Sequence, residues 1–371
     1  MAGPLGGVRV LVLAGMGPVP FVSMMLADMG AHVVRVDRPS NRAARALATT
    51  KGLTPERDVV NRGVDSIVVD LKSEEEKARL LELMGKADAF IEGYRPGVVE
   101  RLGIGPDVAL AANPRLVYAR LTGYGQDGPR CHDAGHDINY VAQSGALQAM
   151  ARHGEAPRPP INLLGDYAGG GAIGAFGIVC ALFAARESGC GQVVDAAMVD
   201  GVSLLTARLH SLRGCGLYSD EAGTNDLDSG APFYETYRCA DGRYLAVGAL
   251  EPDFYAIFLA GLGVDTSAWP EQTDRCRWDE LRTLIGDTIE TRTRDEWARV
   301  FAGTDACVSP VLDFAEAAAA DHNLARRVYT DVDGIQHPHP APRFSATPAR
   351  EPARPPTEHL GVDVVARAWG V

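Results

Sequence analysis

Lysine is nearly missing: Lys51, Lys72, Lys77 and Lys86 are the only four, so arginine supplies 32 of the 36 basic residues. With many alanines, this composition points to a GC-rich bacterial source. Basic charge as a whole is in deficit, with a net charge of -12, which excludes the broad cationic face that nucleic-acid phosphates require. A phosphorylated ligand would have to meet a few placed cations. Paired cysteines are lacking too. Cys131, Cys180, Cys190, Cys215, Cys239, Cys276 and Cys307 are odd in number, scattered and never spaced C-x-x-C, so neither a disulfide framework nor a zinc site is indicated and a reducing cytoplasm fits. No basic stretch followed by an apolar one opens the chain, and the final Ala-Trp-Gly-Val is not a peroxisomal address. No internal repeat stands out.

What is present is a chain of 371 residues, 46% hydrophobic and 23% charged, enough to bury a core and long enough for two lobes. One run, Gly169 to Ala185, is uncharged and almost wholly apolar. At 17 residues and rich in glycine it is short for a bilayer crossing. It is expected to be a helix buried on all sides, and no membrane span is expected.

Periodicity predicts a strand from Val8 to Leu13, a helix from Phe21 to Met29 and a strand from His32 to Val36, a βαβ unit. Further strands are predicted at Ser66–Asp70, Ala89–Glu92 and Leu116–Leu121, with a helix at Glu74–Met84. Strand ends such as Asp70 and Glu92 fall where open α/β sheets bind ligands. After the strand Gln192–Ala196 the pattern changes. Phe233–Cys239 and Tyr244–Val247 read as a hairpin turning at Asp241-Gly242, followed by helices at Pro252–Ala260, Trp278–Ile289 and Asp295–Phe301. The expected fold class is α/β, a Rossmann-like large domain plus a small α+β domain. The large domain is expected at 1–196, completed by 331–371, with linkers at 197–230 and 320–330 around a small domain at 231–319. Beyond Thr330 seven prolines predict an extended tail that runs back over the large domain.

Two motifs invite enzymatic readings that the residues do not sustain. Gly15 and Gly17 after a strand, with Asp37 at the end of the next, mimic a dinucleotide fingerprint, but Pro20 replaces the third glycine and Pro18 removes a backbone donor from the turn. Asp37 then reads as a strand-end residue. His132 and His136 have metal-ligand spacing, yet Gly135 intervenes and no third ligand follows; His337 and His339 fall in the Pro-rich tail. No metal is expected.

Three blocks carry a specific resemblance: Gly135-His-Asp-Ile-Asn-Tyr140, Asn162-Leu-Leu-Gly-Asp-Tyr-Ala-Gly-Gly170 and Gly248-Ala-Leu-Glu-Pro252. Together with Leu121–Gln126, Ile91–Gly97 and Gly191–Asp195, they resemble the racemase branch of the class III CoA-transferase family, whose substrates are α-methylacyl-CoA esters. The likeness runs through nearly the whole chain. It implies an interlocked homodimer, with an active site between the large lobe of one subunit and the small lobe of the other, and no cofactor, since coenzyme A is part of the substrate. The segment Asn41–Val60 is the part least like the family.

The chemistry that the resemblance implies sets demands on residues. A hydrogen beside a thioester is a weak acid, so racemisation needs a base on one face, an acid on the other and a donor to the enolate oxygen. His136, with an ordinary pKa of about 6.5, suits one carrier, and Asp166 suits the other if burial raises its pKa. Taken alone, His136 is equally a capping or surface histidine and Asp166 a helix N-cap. Glu251, before Pro252, is either favourable charge at a helix start or, by the resemblance, the partner of the catalytic histidine. The backbone N–H of Asp137 is the expected enolate donor, so its side chain should matter less than that of His136. Arg38, Lys72, Arg95 and Arg101 match positions that meet phosphates in the family. Val69, Asp70, Leu71, Gly93 and Tyr94 are expected along the adenine and pantetheine path, and Gly135, Ile138, Asn139 and Tyr140 at the substrate. A CoA transferase would instead use the aspartate as a nucleophile; the histidine at 136 favours proton transfer. A non-catalytic CoA-ester binder is the third reading.

Overall fold

The computed structural model describes residues 3–39 and 53–371. Most of the segment Asn41–Val60 lies outside the described residues; of its remainder, Pro55–Arg57 and Val59–Asn61 form short 3-10 turns.

The chain divides into two compact units, the first comprising Met1–Ser144, Pro159–Thr206 and Asp321–Val371. Its centre is a six-stranded sheet built from β1 (Arg9–Leu13), β2 (His32–Asp37), β3 (Val64–Val68), β4 (Ala89–Glu92), β5 (Val117–Thr122) and β6 (Gln192–Ala197). The order is β3-β2-β1-β4-β5-β6 and every pairing is parallel. Alternate side chains of a strand face opposite sides, and the two cores divide accordingly. Val10 and Val12 pack with the helices Pro18–Asp28 and Ile173–Ser188 on one face. Leu11 and Leu13 pack on the other with Leu80 and Leu83 of the helix Glu74–Met84.

Strand order reverses between β1 and β4, so the loops leaving their carboxyl ends part and open a crevice, the usual ligand position in such sheets. Glu92 at the end of β4 does not face that crevice. It is fully buried, takes a hydrogen bond from Arg120 Nε at 2.8 Å and another from the backbone N–H of Tyr94 at 2.6 Å. Its task is to hold the loop that follows.

The apolar run departs from expectation in two ways. Its first residues, Gly169–Ala172, complete a π-helix that starts at Leu163, before the α-helix Ile173–Ser188 begins. Nor is it buried all round: Ala175, Ile178 and Ala181 face the core, whereas Phe176 and Phe183 are 68% and 69% exposed and Val179 is also exposed. By length and composition alone Leu163–Ser188 could cross a membrane. Its inward face, however, is fitted to the sheet, with Gly174 so close to Leu121 that a Cβ would stand 2.7 Å from Cδ2.

The tail is more structured than its prolines imply. β10 (Tyr329–Val332) and β11 (Ile335–Pro338) form a hairpin, and after an irregular stretch the chain closes with the helix Val362–Trp369. Val365 and Trp369 enter the second core of the sheet, and the Trp369 indole N–H donates to His32 Nδ1 at 2.8 Å. The apolar stripe of that helix overrides the extended preference around it.

The second unit comprises Gly145–Arg158 and Ala207–Ala320. Thus 145–158 stands apart from the large domain assigned to it by sequence, because Arg152 is fastened to Glu235 by two hydrogen bonds of 2.6 and 3.0 Å. Nor is 197–230 a plain linker, since it contains the helices Met198–Leu205 and Ala207–Gly214. An antiparallel sheet of β7 (Tyr234–Arg238), β8 (Tyr244–Gly248) and β9 (Val308–Pro310) packs with the helices Pro252–Leu262, Trp278–Ile289 and Arg294–Phe301. Gly242 turns the β7–β8 hairpin with φ 77°, a conformation costly for other residues. Trp297 lies fully buried at the centre, its indole N–H satisfied by the carbonyl of Ile289 at 2.7 Å.

Candidate active site

A cleft of about 580 Å³ opens at the crevice of the first unit. The loop after β1 contributes Met16 and Gly17, the loop after β4 contributes Gly93, Tyr94 and Arg95, and the end of β5 contributes Gly123 and Tyr124. Across from these stand Gly135, His136, Asn139, Tyr140 and Asp166.

His136 is exposed and occupies the N-cap position of the helix Asp137–Gln143. Its own backbone N–H is taken by Asn139 Oδ1 at 3.0 Å, so Asn139 clamps the turn that presents the imidazole. Asp137 is the first residue of that helix, where an N–H has no acceptor within the helix.

Asp166 is no N-cap; it lies in the first turn of the π-helix, a geometry rare enough to be common mainly at functional sites. Four glycines permit it. A Cβ on Gly165 would stand 2.6 Å from Asp137 Oδ1, on Gly169 2.9 Å from the backbone nitrogen of Val202, on Gly170 2.6 Å from Met198, and on Gly171 2.6 Å from Phe21. The half-buried carboxyl approaches Gly17, where an added Cβ would meet Oδ1 at 3.0 Å. Burial pushes the Asp166 pKa upward, and the charge of Asp137 pushes it further the same way; Asn162 and His136 pull it back.

The side chain of Asp137 is buried and accepts the backbone N–H of Asp166 at 2.6 Å.

Tyr140 is buried between glycines, and burial pushes its phenol up to about 12. Tyr124 stacks edge-on against it at 5.0 Å, with the Arg130 guanidinium 4.7 Å above the Tyr124 ring. Tyr124, Gly17 and Asn162 also belong to the site, though none is an acid or base that the sequence marks as a proton carrier. Asn162 had a local signal: it lies four residues before Asp166 and reaches toward its carboxyl at 3.5 Å.

The cations occupy the expected edge to different degrees. Arg95 lines the cleft, and Arg38 adjoins it by donating to the Tyr94 hydroxyl at 2.6 Å and lying 5.0 Å over its ring. Lys72 and Arg101 are exposed outside the lining, as is Ile138. Among the described residues none of Arg38, Lys72, Arg95 and Arg101 has a carboxylate partner, whereas Arg35, Arg62 and Arg120 are each paired. Val69 cannot line a ligand path with its side chain: it is 1% exposed and belongs to the core. Asp70 accepts the backbone N–H of Lys72 at 3.0 Å and so shapes the turn before the next helix, while Leu71 packs partly against the same core as Val69. Glu251 belongs to the second unit, where it is exposed as the N-cap of Pro252–Leu262 with Pro252 in the first helical position.

Residues 5–363 match CoA-transferase family III. The chain is 45% identical to mouse alpha-methylacyl-CoA racemase over 346 residues, 93% of this chain and 87% of the mouse protein, and 44% identical to the human racemase over the same shares. A crystal structure of a CAIB/BAIF family protein from Brucella suis shares the fold over 100% of both chains, with a TM-score of 0.84 at 23% identity. With its doubly wound sheet and a cleft at the reversal point, the chain is an enzyme belonging to CoA-transferase family III.

Proposed function

We propose that the protein is a racemase of 2-methyl-branched acyl-CoA thioesters that interconverts (2R) and (2S) forms by proton transfer through an enolate. The observation that carries this reading is the presence of an imidazole, His136, and a pKa-raised carboxyl, Asp166, in one cleft of a chain 45% identical to an alpha-methylacyl-CoA racemase. One group removes the α-hydrogen, and the C–H electron pair moves into the thioester carbonyl to form the enolate. The other then delivers its proton to the opposite face of the same carbon. The backbone N–H of Asp137 at the helix start is the proposed donor to the enolate oxygen; removing such a donor typically costs about 2.7–4 kcal/mol. No cofactor enters this scheme. Arg38, Lys72, Arg95 and Arg101, lacking carboxylate partners among the described residues, are the proposed phosphate contacts, with Gly93 and Tyr94 along the pantetheine.

Glu251 is assigned the support of His136 from a second copy of the chain in an interlocked homodimer. The exposed apolar stripe Phe176, Val179, Phe183 supports that assembly, since such a surface favours burial. A cytoplasmic setting completes the proposal. Incubation of a 2-methylacyl-CoA in deuterated water tests it: α-hydrogen exchange with loss of optical purity is expected. The family's own description favours one rival, CoA transfer with Asp166 as nucleophile. Transfer of CoA to a free carboxylate without α-exchange would establish that rival. Mixing an Asp166→Ala chain with a Glu251→Ala chain should restore activity through hybrid sites; hybrids that form but stay inactive would place each site within one chain.

A further inference from the structure

The carboxylate of Asp137 does something that an enolate-binding backbone does not require. Oδ1 accepts the Asp166 N–H at 2.6 Å across 29 residues of sequence, joining the start of the helix Asp137–Gln143 to the π-helical turn of Leu163–Ala172. Oδ2 is buried with no hydrogen-bond partner among the described residues. A buried carboxylate oxygen left unsatisfied costs free energy, so its retention calls for a compensating task. The contact is also tight: Gly165 lies so near that any side chain there would collide with Asp137 Oδ1.

We propose that Asp137, through its carboxylate, is the positioning residue for Asp166: it clamps the π-helical turn that presents Asp166 to the cleft and sets a second negative charge against it. This rests on the reading of Asp166 as a proton carrier.

Among the described residues, Asp137 is the carboxylate whose charge raises the Asp166 pKa. His136 and Asn162 oppose it, and the Tyr140 phenol, beside which Arg95 acts, faces the same cleft. From the helix Pro18–Asp28 come Gly17 at its cap, Pro18 and Phe21, and from Met198–Leu205 come Met198 and Val202, all uncharged. Two like charges at short range disfavour simultaneous ionisation, so a carboxylate that also donates structure is an economical way to keep its neighbour proton-retaining.

The replacement that separates clamp from charge is Asp137→Asn, which keeps an oxygen at the clamp and removes the charge. The acidic limb of its kcat/KM profile, a property of the His136–Asp166 pair, should move to lower pH with KM little changed. Both enantiomers should slow by the same factor, because the enzyme cannot alter their equilibrium constant. Asp137→Ala loses the clamp as well and should fall a further twofold to tenfold, roughly the worth of one neutral hydrogen bond. Independently of turnover, the carbon-13 carboxyl signal of Asp166, assigned by its absence in Asp166→Asn, should titrate lower in Asp137→Asn than in wild type. An unchanged limb and an unchanged carboxyl titration would overturn the proposal. Should Asp137→Asn not fold, Asp137→Ser gives the same readouts. A wild type without α-exchange would sink the racemase reading, while the carboxyl titration would still decide the role of Asp137.

Discussion

The ring of Tyr140 lies against the bare Cα of Gly123: a Cβ at position 123 would stand 2.1 Å from Tyr140 Cε1. Gly135 closes the other approach, where a Cβ would stand 2.7 Å from the same atom. Two glycines, one at each end of the connection between β5 and the helix Asp137–Gln143, therefore set the plane of one buried phenol at the cleft. Gly123→Ala must displace the ring or the end of β5, and overpacking of this kind costs about 1–3 kcal/mol. A lowered melting temperature together with reduced turnover is expected, measured by thermal unfolding and α-exchange. Tyr140→Phe, which keeps the ring, should leave the melting temperature nearly unchanged.

His136 is exposed, and its backbone N–H is held by Asn139 Oδ1. His136→Ala should therefore fold normally and bind acyl-CoA, while α-exchange falls at least about 10²–10⁴-fold, the usual worth of a positioned acid or base. Calorimetric binding of a CoA ester beside the exchange rate checks both halves. Wild-type exchange rates in this variant would remove His136 from the reaction.

Asp166 should be a stability liability. Burial and Asp137 raise its folded pKa above the ordinary aspartate value of 3.8, so the folded state holds the proton more tightly than the unfolded chain. Its favourable contribution is complete below that ordinary value and is lost as pH rises through the folded pKa. Asp166→Asn, neutral throughout, should thus gain melting temperature relative to wild type near pH 7, and the gain should shrink on acidification. Denaturation series at several pH values read the difference; a gain that grew toward low pH would contradict the sign.

The cations make a test by subtraction. Arg95→Ala and Arg101→Ala should raise KM for acyl-CoA by roughly tenfold to a hundredfold each, the range of a hydrogen bond to a charged group, with kcat little altered. An acyl-pantetheine substrate, which lacks the nucleotide phosphates, should show no such penalty. Equal penalties with both substrates would deny the phosphate contact.

Local pattern made much of the fold legible. The helices Glu74–Met84 and Trp278–Ile289 and the strand Ala89–Glu92 have the bounds that periodicity predicts, because their apolar spacing, caps and flanking turns agree. The Asp241-Gly242 turn was readable because only a few residues suit a positive φ. Trouble came where composition and context disagree. Val69 looked like a strand-end ligand contact but points into the core, and the closing helix Val362–Trp369 lay hidden after a stretch of prolines. The apolar helix Ile173–Ser188 carried no sign of which side would be left uncovered.

Taken alone, the sequence determined the alternation of strands and helices and the glycine-lined turns, since these follow from neighbouring residues, while the pair His136 and Asp166 was pointed to by the resemblance of contiguous motifs to the family. Only tertiary structure decided that Asp137 grips Asp166, that Glu92 serves Arg120 and the loop at Tyr94, and that Arg95 lines the cleft while Lys72 stands outside it. Those relations join residues far apart in sequence, and burial and distance, which set their energies, exist only once the sheet has brought its strand ends together.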